Sequence, residues 1–168
     1  MKKSKIYLLF GSDTGDKKKH INAARNFVAD EIGEIVAESA LYASEAWGFD
    51  SDAMFLNKVI VAESHLDAFE ILAITQKIEI KMGRANKTTD KYQSRIIDID
   101  ILFYDDKIIE TPQLKIPHPQ IQNRRFTLQP LAEIAPDFVH PKLQKTIAQL
   151  LTACTDEKRV EVKIKNEE

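Results

Sequence analysis

Ala43-Ser-Glu-Ala-Trp-Gly-Phe-Asp-Ser-Asp-Ala53 decides the fold, because it separates two strand-like runs and carries no helical pattern of its own. Ile35–Tyr42 precedes it and Phe55–Glu63 follows, with Val59 and Val61 on one face of the second run. A doubly wound parallel sheet needs a helix between two such strands; a loop makes them antiparallel neighbours. Upstream, Lys5–Phe10 is a buried apolar strand ending at the turn-forming run Gly11-Ser-Asp-Thr-Gly15. A helix from Asp16 to Ile32 follows, with Ile21, Ala24, Val28 and Ile32 as its apolar stripe and Gly33 as its stop. Downstream, Ser64-His-Leu-Asp67 reads as a capping box opening a helix to Met82, closed by Gly83. A polar loop, 84–94, leads into a last strand containing Asp98-Ile-Asp100-Ile-Leu-Phe103. The order β-α-β-β-α-β is that of a ferredoxin-like α+β fold, helices packed on an antiparallel sheet. Two short helices, around Arg125–Ile134 and Leu143–Ala153, add C-terminal helical material.

Length and composition suit one domain, taken as residues 1–156, with 157–168 a charged tail whose Val160–Lys165 is either an edge strand or a frayed end. The net charge of −2 gives no basic field for a nucleic acid or an anionic membrane. The single Cys154 forms no internal disulfide, which fits a reducing cytoplasm. No apolar run reaches membrane-spanning length, and the one after the basic start, Ile6–Phe10, is too short for a signal peptide.

The last strand carries the chemistry. Asp98 and Asp100 are two apart and share a face, while Ile97, Ile99 and Ile101 take the other. Paired carboxylates repel unless a cation sits between them or water solvates the face. Such a pair suits Mg²⁺, which takes one or two carboxylates and fills its other positions with water and phosphate. A solvated acidic edge is the alternative. The neighbourhood favours the metal: from Lys77 to Arg95 six cationic side chains stand against two acidic ones, and His118 with Asn123-Arg124-Arg125-Phe126 forms a second cationic group. Carboxylates holding a metal, with cations around phosphate oxygens, is the division of labour of phosphoryl transfer. Aromatic residues in polar loops (Trp47, Tyr92 and Phe126) suit a flat heterocycle.

Together these residues resemble the 6-hydroxymethyl-7,8-dihydropterin pyrophosphokinase family over about residues 5–154. The strongest match is Arg95-Ile-Ile-Asp98-Ile-Asp100-Ile-Leu, similar to that family's Arg-Thr-Leu-Asp-Leu-Asp-Ile-Leu. Support comes from Gly11-Ser12, Phe55-Leu-Asn57, Gln76, Glu79, Gly83-Arg84 and Pro117-His118…Asn123-Arg124-Arg125-Phe126. The resemblance implies a monomeric, cytoplasmic enzyme of folate biosynthesis that moves pyrophosphate from ATP to a pterin alcohol, with two Mg²⁺ ions on Asp98 and Asp100. By the same resemblance Arg84, Arg95, His118 and Arg124 clamp phosphate, and Gln76, Glu79 and Ile101 line the nucleotide site. Ser44, Glu45, Trp47 and Asn57 read the pterin edge beside Asp98, and Phe55 with Phe126 sandwiches its ring. The sequence departs from the family at Ser44-Glu45-Ala46-Trp47, where Thr-Pro-Pro-Leu is common, and at Asn86, where a second arginine is frequent.

Two other readings compete. A nucleotidyltransferase also uses Gly-Ser with Asp-x-Asp, but there the acids follow closely, whereas Ser12 and Asp98 lie far apart here. A ferredoxin-like RNA-binding module needs exposed aromatic residues on its central strands, and this chain places acids there.

Overall fold

The computed structural model describes residues 2–45, 54–83 and 96–164. Loop expectations for 46–53 and 84–95, and with them Trp47, Arg84, Asn86, Tyr92 and Arg95, fall outside those residues.

Strand β1 (Ser4–Ser12) runs two residues further than its apolar core, so Gly11 and Ser12 belong to the strand rather than to the turn. Alternation sends Ile6, Leu8 and Phe10 to one side of the sheet and Tyr7 and Leu9 to the other. Helix α1 (Lys17–Glu31) starts where the Asp16 carboxylate accepts the Lys19 N–H, and buries Ile21, Ala24 and Val28. Gly33 follows for a steric reason: a Cβ there would lie 1.9 Å from the Glu63 carbonyl oxygen of the neighbouring strand. The expected single strand 35–42 is two, β2 (Glu34–Glu38) and β3 (Leu41–Glu45). At the break the Ser39 hydroxyl accepts the Val59 N–H, and the Ala40 N–H donates to the Glu133 carboxylate at 3.1 Å. Strand β4 (Met54–Ser64) pairs with β1, β2 and β3.

Helix α2 (Ala68–Lys81) corrects the expected cap. The box is Asp67 with Glu70, each side chain taking the other's backbone N–H, while the Ser64 hydroxyl instead donates to the Ile32 carbonyl at 2.6 Å. Gly83 ends the helix at φ +113°, a backbone region that favours glycine. Strand β5 (Asp98–Tyr104) follows, then a small hairpin of β6 (Ile109–Glu110) and β7 (Lys115–Ile116). Helices α3 (Arg125–Ile134) and α4 (Ile147–Ala153) come next; α4 starts later than expected because Thr146 and Gln149 form its capping box. Strand β8 (Val160–Ile164) closes the chain by pairing with β3, so this part of the charged tail is an edge strand.

Among the described residues the pairings of this sheet are antiparallel in the order β5-β1-β4-β3-β8, with β2 also on β4. Treating β2 and β3 as one interrupted strand gives the ferredoxin-like order. The two faces bury different helices. On one, α1 and α2 cover Leu8, Phe10, Ile60 and Ile99; on the other, α3 and α4 cover Leu9, Val59, Phe103 and their neighbours. A sheet covered on both sides is why its central strands read as continuous apolar runs. Inside the α1 face, Lys58 and Arg25 both pair with Glu38 at 2.7 Å. Burial opposes the Glu38 charge, but the hydrogen bonds from Arg25 and Lys58 outweigh it and hold the carboxyl below its usual range.

Candidate active site

The register across the sheet assembles the site. Gly11 of β1 stands between Asp98 of β5 and Asn57 of β4, and Leu9 stands beside Asp100. The row therefore runs acid, glycine, amide, and a side chain at Gly11 would press on Asn57 Oδ1 at 3.3 Å. This row lies on the α3 face. A cavity of about 150 Å³ opens above it, lined on the sheet by Asp98, Asp100, Asn57, Phe55 and Ser44 and from α3's start by Arg124 and Phe126. Seven of the site residues expected from sequence thus meet in one cavity. Leu9 and Gly11 complete its floor. Leu9 was not singled out from sequence, although its place in the β1 alternation was the available signal.

The amide end is ordered by its neighbour: Asn57 Nδ2 donates to Ser44 Oγ at 2.8 Å, and both residues are buried. That bond fixes the amide plane and sets one donor and one acceptor side by side. Glu45 ends β3 next to Ser44. The aromatic wall carries its own cation, with the Arg124 guanidinium 5.6 Å from the centre of the Phe126 ring.

His118 borders this site and lines a second cavity of about 280 Å³, shared with His140, Lys115 and Lys142. Burial pushes its imidazole pKa down; the Asp100 charge opposes that shift and Arg124 adds to it. Its Nδ1 accepts the Gln120 N–H at 3.1 Å, so the neutral ring carries its proton on Nε2 and can donate from there.

Glu79 sits elsewhere than a solvated helix face. It is 5% exposed, and its Oε2 accepts the Ile99 N–H at 2.8 Å. Because β5 is an edge strand, that N–H points away from β1, and Glu79 holds the backbone between the two aspartates. Gln76, three residues earlier, is exposed. The Ile101 side chain belongs to the α1-side core, which leaves its main chain on the sheet edge for any ligand. Arg125 departs from the cationic group: its guanidinium donates to the Asp156 and Cys154 carbonyls.

The donor set fits magnesium. Both carboxylates line the same cavity, and among the described residues no third His, Cys, Asp or Glu joins them in a metal-binding group. A hard ion that keeps several waters needs no more.

An antiparallel α+β sheet with an acid pair, a fixed amide and two aromatic side chains around one pocket suits a protein that acts on a small molecule. The family model for 7,8-dihydro-6-hydroxymethylpterin-pyrophosphokinase matches residues 7–136, and the chain belongs to that family. An Aquifex aeolicus 2-amino-4-hydroxy-6-hydroxymethyldihydropteridine pyrophosphokinase is 40% identical over 144 residues, 86% of this chain and 88% of that one. A Porphyromonas gingivalis protein of the same name is 39% identical over 139 residues, covering 82% and 94%. Among solved structures, wild-type Plasmodium falciparum HPPK-DHPS superposes with a TM-score of 0.71 at 18% identity, over 90% of this chain and 45% of that one. At that identity the match speaks for the fold, and this chain spans less than half of the solved one.

Proposed function

We propose that this enzyme transfers pyrophosphate from ATP to the hydroxymethyl group of 6-hydroxymethyl-7,8-dihydropterin, releasing AMP, as a step of folate biosynthesis. The observation that carries the reading is the single cavity joining Asp98 and Asp100 to Asn57 and the Phe55–Phe126 pair. A pterin is flat and presents alternating donors and acceptors on one edge. Phe55 and Phe126 line the cavity such a heterocycle would enter, and the Asn57 amide, held by Ser44, would supply the matching donor and acceptor. A pterin held there would have its hydroxymethyl arm toward the acids across Gly11.

Asp98 and Asp100 would hold Mg²⁺, two ions by the family resemblance. Bound magnesium would neutralise the triphosphate and lower the pKa of the attacking hydroxyl. Arg124 and the Nε2–H of His118 supply phosphate contacts beside the pair. Glu79 keeps β5 straight between the ligands, and with Gln76 and the Ile101 main chain it marks the nucleotide side. We assign Arg84 and Arg95 to the phosphates, and Glu45 and Trp47 to the acceptor side, on the resemblance alone. The lone Cys154 suits a reducing cytoplasm, and we take the enzyme as a monomer on the resemblance alone.

Calorimetric titration tests the pocket. With Mg²⁺ and a non-hydrolysable ATP analogue present, the pterin alcohol should bind the wild type, and Asn57→Leu should lose pterin binding while keeping the nucleotide. Equal pterin affinity in both proteins would place the acceptor elsewhere.

A further inference from the structure

The start of α3 lacks a cap of its own, since Arg124 makes no side-chain cap hydrogen bond. The acceptor comes from the far end of the chain. Asp156 Oδ2 takes the Arg125 N–H at 3.0 Å, the Arg125 Nε donates to the Asp156 carbonyl at 2.9 Å, and its Nη2 donates to the Cys154 carbonyl at 3.0 Å. A carboxylate at a helix N-terminus also complements the helix dipole. Asp156 Oδ1 then accepts the Lys158 N–H, turning the chain toward β8. There Val160 pairs opposite Ser44, whose hydroxyl fixes the Asn57 amide.

Residues 154–160 therefore tie together the two sides of the pocket, the helix that begins with Arg125-Phe126 and the strand that carries Ser44. Neither Arg125 nor Asp156 lines the cavity. We propose that the Arg125–Asp156 clamp is a positioning device for the acceptor: it sets the distance between the Phe126 ring and the Ser44–Asn57 pair, and so governs recognition of the flat heterocycle. This rests on the reading of the cavity as the pterin site. The acids of β5 stand at the opposite edge of the sheet from β8, so the clamp reaches the nucleotide side only through Arg124, the neighbour of Arg125.

Steady-state kinetics on the full chain test it, with both substrates varied in turn and melting temperatures recorded. Asp156→Ala and Arg125→Ala should raise KM for the pterin by about fivefold or more, the scale of a lost helix cap, with a smaller rise in KM for ATP, which the clamp reaches only through Arg124. Asp156→Asn keeps an oxygen for the Arg125 N–H and should stay within about twofold of wild type throughout. A purely stabilising contact would lower the melting temperature without separating the two KM values. An unchanged pterin KM, or equal rises for both substrates, overturns the proposal. Should Asp156→Ala be melted at the assay temperature, Arg125→Lys, which keeps the charge and loses the forked reach to two carbonyls, is judged on the same criterion. A wild type inert toward pterin would overturn the pocket reading and this inference with it. An active wild type with insensitive variants would overturn the clamp alone.

Discussion

Asp98 and Asp100 illustrate how far a single residue's role follows from spacing. Period two places them on one face, and the register then sets that face above Gly11 and Leu9, beneath α3. Each carboxylate of the pair is a candidate magnesium ligand, so removing either one removes a metal ligand. Asp98→Ala and Asp100→Ala should each abolish turnover with the fold intact. Near-normal activity in either would refute the metal assignment. Phe126 belongs to the same scale. Truncating a stacking ring removes about 1 kcal/mol, so Phe126→Ala should weaken pterin binding about fivefold to tenfold and ATP binding much less. A titration giving the reverse order would remove Phe126 from the acceptor site. Arg124 was told from Arg125 by the family resemblance and not by the chemistry of the residues. The two are adjacent cations, and the return of residues 154–156 to the start of α3 gives the physical reason that Arg125 leaves the pocket to Arg124.

Elements were legible where the signal is local and obscure where a distant partner intervenes. The α1 stripe, the buried apolar run of β1 and the shared face of Val59 and Val61 on β4 are local, and all formed as expected. The break between β2 and β3 was invisible because its cause, Glu133, lies on α3 and reaches back to Ala40 and to the Tyr42 hydroxyl, the latter at 2.6 Å. Burial, helped by that carboxylate, pushes the Tyr42 phenol pKa upward, so it stays a donor. Glu79 was obscure for a related reason, since its partner is a backbone N–H on the edge strand. Glu79→Ala should leave the Ile99 N–H without its acceptor and cost about 1–3 kcal/mol of stability in chemical denaturation, and Glu79→Gln less. No loss in the alanine variant would contradict the role given to it.

His140 gives the same scale a pH dependence. It is buried, its Nδ1 accepts the Lys142 and Leu143 N–H groups at 3.1 Å, and its ring stands edge-on to Phe103. Burial lowers its pKa from the ordinary 6.5; its own backbone opposes that shift and Lys142 adds to it. A folded-state value below the unfolded one means that the unfolded chain binds the proton more readily. Stability is then full above about the ordinary value and is lost as pH falls through the folded one. The melting temperature should fall between about pH 7 and pH 5, and His140→Asn should flatten part of that slope, His118 contributing the remainder with the same sign. A slope unaltered by the substitution would exclude His140 as its source.

At the scale of the molecule, the order of strands and helices was readable because one short loop ruled out a crossover helix. The second helical layer was only partly so: α3 and α4 showed as helices, but nothing local says that they cover the opposite face of the sheet. That face matters most, because it is where α3 closes over the acid pair. The tail left undecided between strand and frayed end becomes β8 through pairing with β3, a contact between residues more than a hundred positions apart. The site is thus a product of long-range register, with its chemistry visible in the sequence and its assembly visible only in the fold.

The most direct measurement is a turnover assay of the purified chain with ATP, Mg²⁺ and 6-hydroxymethyl-7,8-dihydropterin, in which chromatography identifies the nucleotide product. Pyrophosphoryl transfer predicts AMP together with a pterin diphosphate, formed only when the pterin and Mg²⁺ are both present. ADP, or AMP released without the pterin, would contradict it.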